Sequence, residues 1–330
     1  MVNVIIPCYN NKWELRDALR SLENQTKKMF LVTVVDDCST ENLKDIVDSF
    51  KSTLKISYIR NKVNSGPGIS RNEGINNAIR LNCSQIIFMD SDDLLQPRAV
   101  EILSHQLSKS GADFVSSPIL VEKKHGPASI LDNSENLTWM HGKIYRTQFL
   151  LDNHILFPDI LRCNEDAYFN LVCAYTAKKK ETINEICYIW RDNKNSLTRT
   201  SEYDFSEKHN SGYVISQCLA ILDICNNKDN KIENLQHTLT NIYHAYQSEL
   251  YFNHTTEEID KYIEQVLNCE RYMNSFTKKE ILIIIQRLRP ILYHNKNPYI
   301  VKQNILEWLS NFNNKVLYDK FAEVIKCQKS

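Results

Sequence analysis

The chain has 330 residues, of which 42% are hydrophobic and 24% are charged. A composition this apolar excludes a disordered chain, and the length predicts one large domain or two smaller ones, each with a hydrophobic core. Forty basic residues balance forty acidic ones, so the overall charge does not indicate a polyanion-binding protein, although a local basic patch stays open.

The first hundred residues alternate short β-branched runs with helical periodicity, which is typical of a wound α/β sheet. The pattern predicts strands over residues 2–6, 31–35, 56–59 and 85–89. Apolar residues at three- and four-residue spacing predict helices over residues 13–22, 43–50, 69–81 and 97–107. In sheets of this kind the ligand site lies beyond the carboxyl ends of the strands.

The pattern changes twice further along the chain. It is mixed between about residues 113 and 190, and beyond about residue 203 it becomes helical with Asn/Lys-rich loops. Helices are predicted over residues 214–225, 232–250, 259–267, 278–288, 301–309 and 316–325. We therefore predict an α/β domain over residues 1–203 and an all-helical domain over residues 204–330.

The ten cysteines are scattered singly and form no CxxC pair. This spacing favours reduced thiols in a cytosolic protein over a disulfide framework or a zinc site. The sequence shows no signal peptide before the first predicted strand, and no apolar run approaches the ~20 residues that cross a bilayer. We therefore expect a cytoplasmic protein, with peripheral attachment to the inner face of the membrane left open.

Two acidic motifs follow predicted strands. Asp36 and Asp37 close the second strand, where carboxylates either accept hydrogen bonds from a nucleobase or ribose or cap the next helix. Asp90, Ser91 and Asp92 follow the fourth strand. In an extended segment alternate carboxylates project to one side, so that one can bind a divalent cation while the other meets a sugar hydroxyl. Loop acids without a ligand are the alternative.

A glycine-containing loop precedes the third predicted helix. Gly66 and Gly68 allow close approach of the backbone, and Arg71 stands on the first turns of the helix. This arrangement suits an anion or a nucleotide. It lacks the lysine of a P-loop, and an ordinary loop-to-helix turn remains the alternative.

Three later segments also carry chemistry-bearing side chains. Glu165 and Asp166 stand at a predicted helix start, where a carboxylate either caps the helix or acts as a general base. His141 lies among aromatic and small residues, and no zinc-binding motif accompanies it. Arg191 follows an aromatic run and either contacts a ligand or lies in a solvated loop.

Taken in chain order, these motifs resemble the family 2 glycosyltransferases of the GT-A fold. The matching segments are residues 4–10 (VIIPCYN), 34–39 (VVDDCS), 64–72 (NSGPGISRN), 88–93 (FMDSDD), 141–146 (HGKIYR) and 164–166 (NED). One departure is Cys38, which stands where the family usually has glycine. The resemblance implies a nucleotide-sugar-binding α/β domain with a mixed central sheet, a donor that is usually a UDP-sugar, and an inverting transfer that needs Mn²⁺ or Mg²⁺.

The resemblance also implies a role for individual residues. Those expected to bind the donor are Pro7, Tyr9, Asp36, Asp37, Gly68, Arg71, Asp90, Ser91, His141, Lys143 and Arg191. Asp92 is expected to be the principal metal ligand, with Asp90 beside it. Asp166 is expected to be the general base that deprotonates the acceptor hydroxyl, with Glu165 adjacent.

The acceptor stays open at this point. The resemblance most often implies surface-glycan synthesis, with a glycan or lipid-linked acceptor. It extends to phage enzymes that modify hydroxymethylated bases in DNA, which need a basic groove. A non-catalytic sugar-nucleotide-binding protein is a further alternative, although such a protein has no need of both a metal acid and a base. For the helical domain over residues 204–330, acceptor binding and self-association as a homo-oligomer are the two alternatives.

Overall fold

The computed structural model describes residues 1–123, 126–132, 139–193, 202–228, 230, 232–233, 235–251, 257–288, 298–312 and 315–327. The chain forms two compact units, Met1–Ser201 and Glu202–Ser330. The first unit is mixed α/β and the second is helical, which confirms the fold class predicted from the sequence.

The first unit contains eleven strands among its described residues. They are β1 (Val2–Cys8), β2 (Phe30–Asp36), β3 (Ile56–Arg60), β4 (Gln85–Phe88), β5 (Leu94–Leu95), β6 (Phe114–Ser116), β7 (Ile119–Val121), β8 (Ser129–Leu131), β9 (Lys143–Arg146), β10 (Lys180–Thr182) and β11 (Tyr188–Trp190). Seven of them form the central sheet in the order β10-β6-β9-β4-β1-β2-β3, and the other four form a smaller sheet in the order β5-β11-β7-β8.

The helices of the first unit pack on this framework. They are α1 (Lys12–Glu23), α2 (Lys44–Ser49), α3 (Pro67–Arg80), α4 (Ala99–Ser110), α5 (Thr147–Asp152) and α6 (Glu165–Thr176). In α1 the buried residues are Leu15, Ala18, Leu19 and Leu22, the three- and four-residue spacing that places side chains on one helix face. Helix α4 begins at Ala99, two residues later than predicted, because Pro97 lies in the preceding turn.

The central strands of the sheet place the two acidic motifs at the same end of the sheet, the carboxyl end of β1, β2 and β4. Strand β1 is buried along its whole length and pairs in parallel with β2 on one side and β4 on the other. Its last residue, Cys8, is level with Asp36, the last residue of β2. Asp90 follows the end of β4 by two residues. Both acidic motifs therefore flank the carboxyl end of β1, where ligands of such sheets bind.

The second unit consists of helices. They are α7 (Glu202–Asn226), α8 (Gln236–Tyr251), α9 (Glu257–Leu267), α10 (Glu270–Asn274), α11 (Lys278–Leu288), α12 (Pro298–Asn311) and α13 (Lys315–Cys327). Trp308 is buried in its core against Tyr243 and Phe312. Helix α7 begins twelve residues earlier than predicted, because residues 202–213 are largely polar and carry little apolar periodicity. No helix among the described residues has the length and apolarity needed to span a membrane.

Candidate active site

The acidic segment after β4 is a turn, and our prediction of an extended segment is wrong. The amide of Asp93 donates a hydrogen bond to the carbonyl of Asp90 at 3.2 Å, as in a four-residue β-turn. Because the chain turns, strand alternation does not apply, and Asp93 rather than Asp92 meets Asp90. Ligand atoms of Asp90, Asp93 and His141 lie within 4.8 Å of one another. We call these three residues the acidic cluster.

Asp90 is the most accessible member of the acidic cluster, with a side chain that is 30% exposed. Its Oδ1 accepts a hydrogen bond from Arg71 Nη2 at 2.7 Å, and its Oδ2 lies 3.1 Å from His141 Nε2. Burial alone would raise the pKa of Asp90, but the charges of Arg71 and His141 outweigh it and hold the pKa below its usual range. Asp90 is thus an ionised carboxylate at neutral pH.

Asp93 is buried behind Asp90 and holds the turn in place. The Tyr188 hydroxyl donates to its Oδ2 at 2.6 Å, and the amide of Arg191 donates to its Oδ1 at 2.9 Å. The same Tyr188 hydroxyl accepts a hydrogen bond from the amide of Asp90 at 3.1 Å. Burial raises the pKa of Asp93 to about 8. The sequence analysis assigned no role to Asp93, although the acidic run DSDD contains it.

His141 completes the acidic cluster and lies against aromatic rings. Its imidazole stacks on Trp190 at a centroid distance of 6.2 Å and contacts Tyr188 at 5.0 Å. Burial lowers the pKa of His141, but the hydrogen bond and charge of Asp90 outweigh this effect and raise the pKa above its usual value.

The two other residues of the turn have different partners. The Asp92 carboxylate accepts a hydrogen bond from Asn193 Nδ2 at 2.9 Å, and burial, followed by repulsion from Asp90, raises the pKa of Asp92. Ser91 is buried, and its hydroxyl accepts a hydrogen bond from Asn11 Nδ2 at 3.2 Å. Asp92 is not one of the three residues of the acidic cluster, and its role as a metal ligand stays a prediction.

Asp166 is a carboxyl that titrates near neutral pH. It stands in the first turn of α6, directly after Glu165. The residue before Glu165 is Asn164, which has φ 61° and precedes the start of the helix. Burial raises the pKa of Asp166 to about 7, and repulsion from Glu165 contributes in the same direction. A carboxylate with this pKa can accept a proton from a hydroxyl at physiological pH. Glu165 itself is buried and bound to Arg71 Nη1 at 2.6 Å.

The acidic pair at the end of β2 binds neighbouring loops. Asp36 is fully buried and accepts hydrogen bonds from the Ser39 amide, the Tyr58 hydroxyl and Arg60 Nη1, at 2.8, 2.5 and 2.5 Å. Asp37 accepts from Asn61 Nδ2 at 2.8 Å and from the amides of Ser65 and Gly66 at 3.0 and 2.7 Å. These bonds join the segments that follow β2 and β3 at the carboxyl end of β2.

Cys38, the departure from the family pattern, has φ 65°. In this left-handed conformation glycine has no steric penalty, whereas a residue with a Cβ pays about 1 kcal/mol. The backbone at this position is therefore the one that glycine favours.

The remaining predicted donor residues divide into accessible and internal groups. Pro7 is buried within β1, and Tyr9, just beyond it, is 44% exposed. The guanidinium of Arg191 lies 3.1 Å from Asp17, in a surface ion pair. Lys143 is buried, and its Nζ donates to the carbonyl of Trp139 at 2.6 Å. Burial lowers the pKa of Lys143 to about 7.

Residues 3–159 match the family model described as glycosyl transferase family 2. The N-terminal unit belongs to this family. The poly(ribitol-phosphate) beta-N-acetylglucosaminyltransferase TarS of Staphylococcus aureus is 31% identical over 215 residues, which are 61% of this chain and 37% of TarS. The glycosyltransferase GlyA of Streptococcus pneumoniae is 26% identical over 379 residues, which cover 99% of this chain and 51% of GlyA.

A solved structure shows the same fold. The crystal structure of S. aureus TarS 1–349 in complex with UDP-GlcNAc superimposes with a TM-score of 0.62 at 20% identity, covering 99% of this chain and 91% of that one. The chain spans between about a third and a half of the length of the two curated relatives, and both relatives are named glycosyltransferases.

Proposed function

We propose that this family 2 protein transfers a sugar from a UDP-sugar to an acceptor hydroxyl, with inversion at the anomeric carbon. The observation that carries the proposal is the raised pKa of Asp166, about 7, at a site where Arg71 links the neighbouring Glu165 to Asp90. Asp166 takes the hydroxyl proton, the hydroxyl oxygen bonds to the anomeric carbon, and the bond to the diphosphate breaks.

The donor assignment rests on the nucleotide end of the site and on the relatives. Tyr9 presents a partly exposed ring just beyond β1, next to Cys8, whose carbonyl accepts a hydrogen bond from the Asp37 amide. An exposed aromatic ring at this edge can stack on a flat nucleobase. The TarS structure holds UDP-GlcNAc, which supports a UDP-sugar as the donor here.

The acidic cluster fits a divalent cation. Two carboxylates and an imidazole converge, and carboxylate oxygens are ligands that Mg²⁺ and Mn²⁺ favour. We propose that Asp90, Asp93 and His141 hold this ion, with Asp90 facing the donor. A bound cation supplies positive charge that stabilises the leaving diphosphate.

We further propose a surface glycan as the acceptor, of the polyol-phosphate class named for TarS. The nine cysteines in the described part of the chain form no disulfide with one another, a pattern typical of a reducing compartment, and we propose that the reaction takes place in the cytoplasm. The acceptor is then met at the inner face of the membrane or in solution.

The proposal is tested by nucleotide release from a panel of UDP-, GDP- and CDP-sugars with Mn²⁺, with and without a chelator. We expect slow hydrolysis of one UDP-sugar, which the chelator abolishes. The Asp166→Asn variant is expected to turn over about 10²–10⁴-fold more slowly while binding the donor as the wild type does, because it loses only the base.

The matched control is Asp159→Asn, the same change at an exposed carboxyl before α6, which is expected to leave turnover unaltered. Turnover by Asp166→Asn within tenfold of wild type would show that another group is the base. If the wild type binds none of the nucleotide-sugars, the protein is not a transferase of this kind.

A further inference from the structure

The start of α3, which the sequence analysis considered as a nucleotide-binding loop, contacts the segment that leads into α6. Asn72, on α3, makes two hydrogen bonds to the backbone of Phe157. Its Nδ2 donates to the Phe157 carbonyl at 2.8 Å, and its Oδ1 accepts from the Phe157 amide at 2.9 Å. One side chain therefore satisfies both polar groups of a residue that lies 85 positions away in the sequence.

Arg71 adds a second attachment to the same region. Its guanidinium is buried, donates to Glu165 Oε1 at 2.6 Å and to Asp90 Oδ1 at 2.7 Å, and lies 5.4 Å above the centroid of the Phe157 ring. Charge-assisted bonds of this length, made by a planar fork between two carboxylates, hold both carboxylates in fixed positions. The guanidinium thereby ties the end of β4 to the start of α6.

Gly68 lets the two surfaces approach. A Cβ at this position would lie 3.1 Å from Glu165 Cγ and 3.2 Å from Phe157 Cβ. Residues 68, 71 and 72 have the i, i+3, i+4 spacing of a single helix face. All three contact Phe157 or Glu165, so one face of α3 receives both ends of the segment from Phe157 to Glu165.

We propose that this docking face, made of Gly68, Arg71 and Asn72, positions the segment 157–166 and thereby sets the Asp166 carboxyl against Asp90. Arg71 and Asn72 are positioning residues in this proposal, not donor ligands. Asp166 directly follows Glu165, so fixing the Glu165 carboxylate also fixes the first turn of α6. The effect on sugar transfer rests on the proposed function, whereas the effect on the segment itself does not.

The test uses the full chain with Asn72→Ala and Arg71→Met, and Asn76→Ala as the control. Asn76 lies one turn further along α3 and is exposed, so its replacement removes the same amide without touching the segment. In the two test variants we expect amide hydrogen exchange over residues 157–168 to accelerate about tenfold, since local opening becomes easier without these bonds. Exchange in β1 and β2 is expected to be unchanged.

Two further readouts separate positioning from donor binding. The dissociation constant for UDP with Mn²⁺ is expected to stay within about threefold of wild type, while kcat falls about 10–100-fold, because a misplaced base slows chemistry more than it weakens donor binding. Arg71→Lys is expected to fall between wild type and Arg71→Met, since a single ammonium does not reproduce the fork between Glu165 and Asp90.

Two outcomes would overturn the proposal. In the first, UDP affinity falls tenfold or more while exchange over residues 157–168 is unchanged, which would make these side chains donor ligands. In the second, neither variant alters exchange, which would show that other contacts hold the segment. If Arg71→Met does not fold, Asn72→Ala decides, because the half-buried Asn72 side chain bonds only to Phe157 among the described residues. Failure of the wild type to bind UDP would overturn the proposed function but leave the exchange result valid.

Discussion

Burial and the charge of Glu165 destabilise the ionised form of the Asp166 carboxyl and thereby raise its pKa. If Asp166 is the base, the transfer rate rises with pH through about 7 and levels off above it, because only the ionised carboxylate accepts the proton. The measurement is kcat between pH 5.5 and 9 at saturating donor. A rate that is flat across pH 6–8 contradicts this assignment.

The same raised pKa links stability to pH. The folded state holds the Asp166 proton more tightly than the unfolded chain, whose carboxyl has a pKa near 3.8. The stability from this group is therefore full below about pH 3.8 and is lost as the pH rises through about 7. Asp166→Asn has no such loss, so relative to wild type it should gain unfolding free energy between pH 4 and pH 8, while Asp159→Asn should not.

Cys38 and Lys143 are two positions whose structural surroundings the sequence did not predict. Cys38 occupies a left-handed backbone conformation that its own residue type does not indicate, and the resemblance marked this position only as a departure from the family's usual glycine. Lys143 was expected to bind the donor, and this role stays a prediction, since what the structure shows is that its Nζ donates to the Trp139 carbonyl. In a sequence, a lysine that binds a ligand cannot be distinguished from one that donates to a backbone carbonyl.

At the scale of elements, helix α3 lies against β1 with no space for a side chain between them. A Cβ on Gly74 would lie 2.2 Å from Ile5 Cγ2. In an ordinary helix interior, Gly→Ala stabilises by about 1 kcal/mol. Here we expect Gly74→Ala to destabilise by about 1–3 kcal/mol, because the helix or the strand must move. Denaturant unfolding measures this difference.

A double-mutant cycle gives the control for this prediction. Ile5→Ala removes the two atoms nearest to the new methyl, Cγ2 and Cγ1, at a cost of its own, since Ile5 is fully buried. In that background Gly74→Ala is expected to be neutral or stabilising. Destabilisation of the same size in both backgrounds would show that the contact with Ile5 does not determine why glycine is present.

At the scale of the whole molecule, the candidate site residues all belong to the first unit, Met1–Ser201. Binding of UDP with Mn²⁺ is therefore expected to stabilise this unit, by about 2.7 kcal/mol when the ligand is at 100 times its dissociation constant. Hydrogen exchange should slow at the ends of β1, β2 and β4. Exchange within α7 to α13 should not change, and equal protection there would contradict a site confined to the first unit.

Local pattern determined much of this protein. The four predicted strands of the first hundred residues are present to within two residues, and the order of motifs from Pro7 to Asp166 indicated the family that residues 3–159 match. These features are readable because helices and strands repeat every few residues, and because each motif lies within ten consecutive positions. The identity of the base and of the donor pocket remains a prediction.

Only the tertiary structure decided which side chains meet. Arg71 and Glu165 are 94 positions apart, and no periodicity indicates that this guanidinium will reach that carboxylate. The position of Asp93 beside Asp90 depends on a turn closed by one hydrogen bond and on Tyr188, which reaches Asp93 from β11. Charge and hydrogen-bonding capacity are properties of a residue, but burial and partners are set by the packing of distant elements.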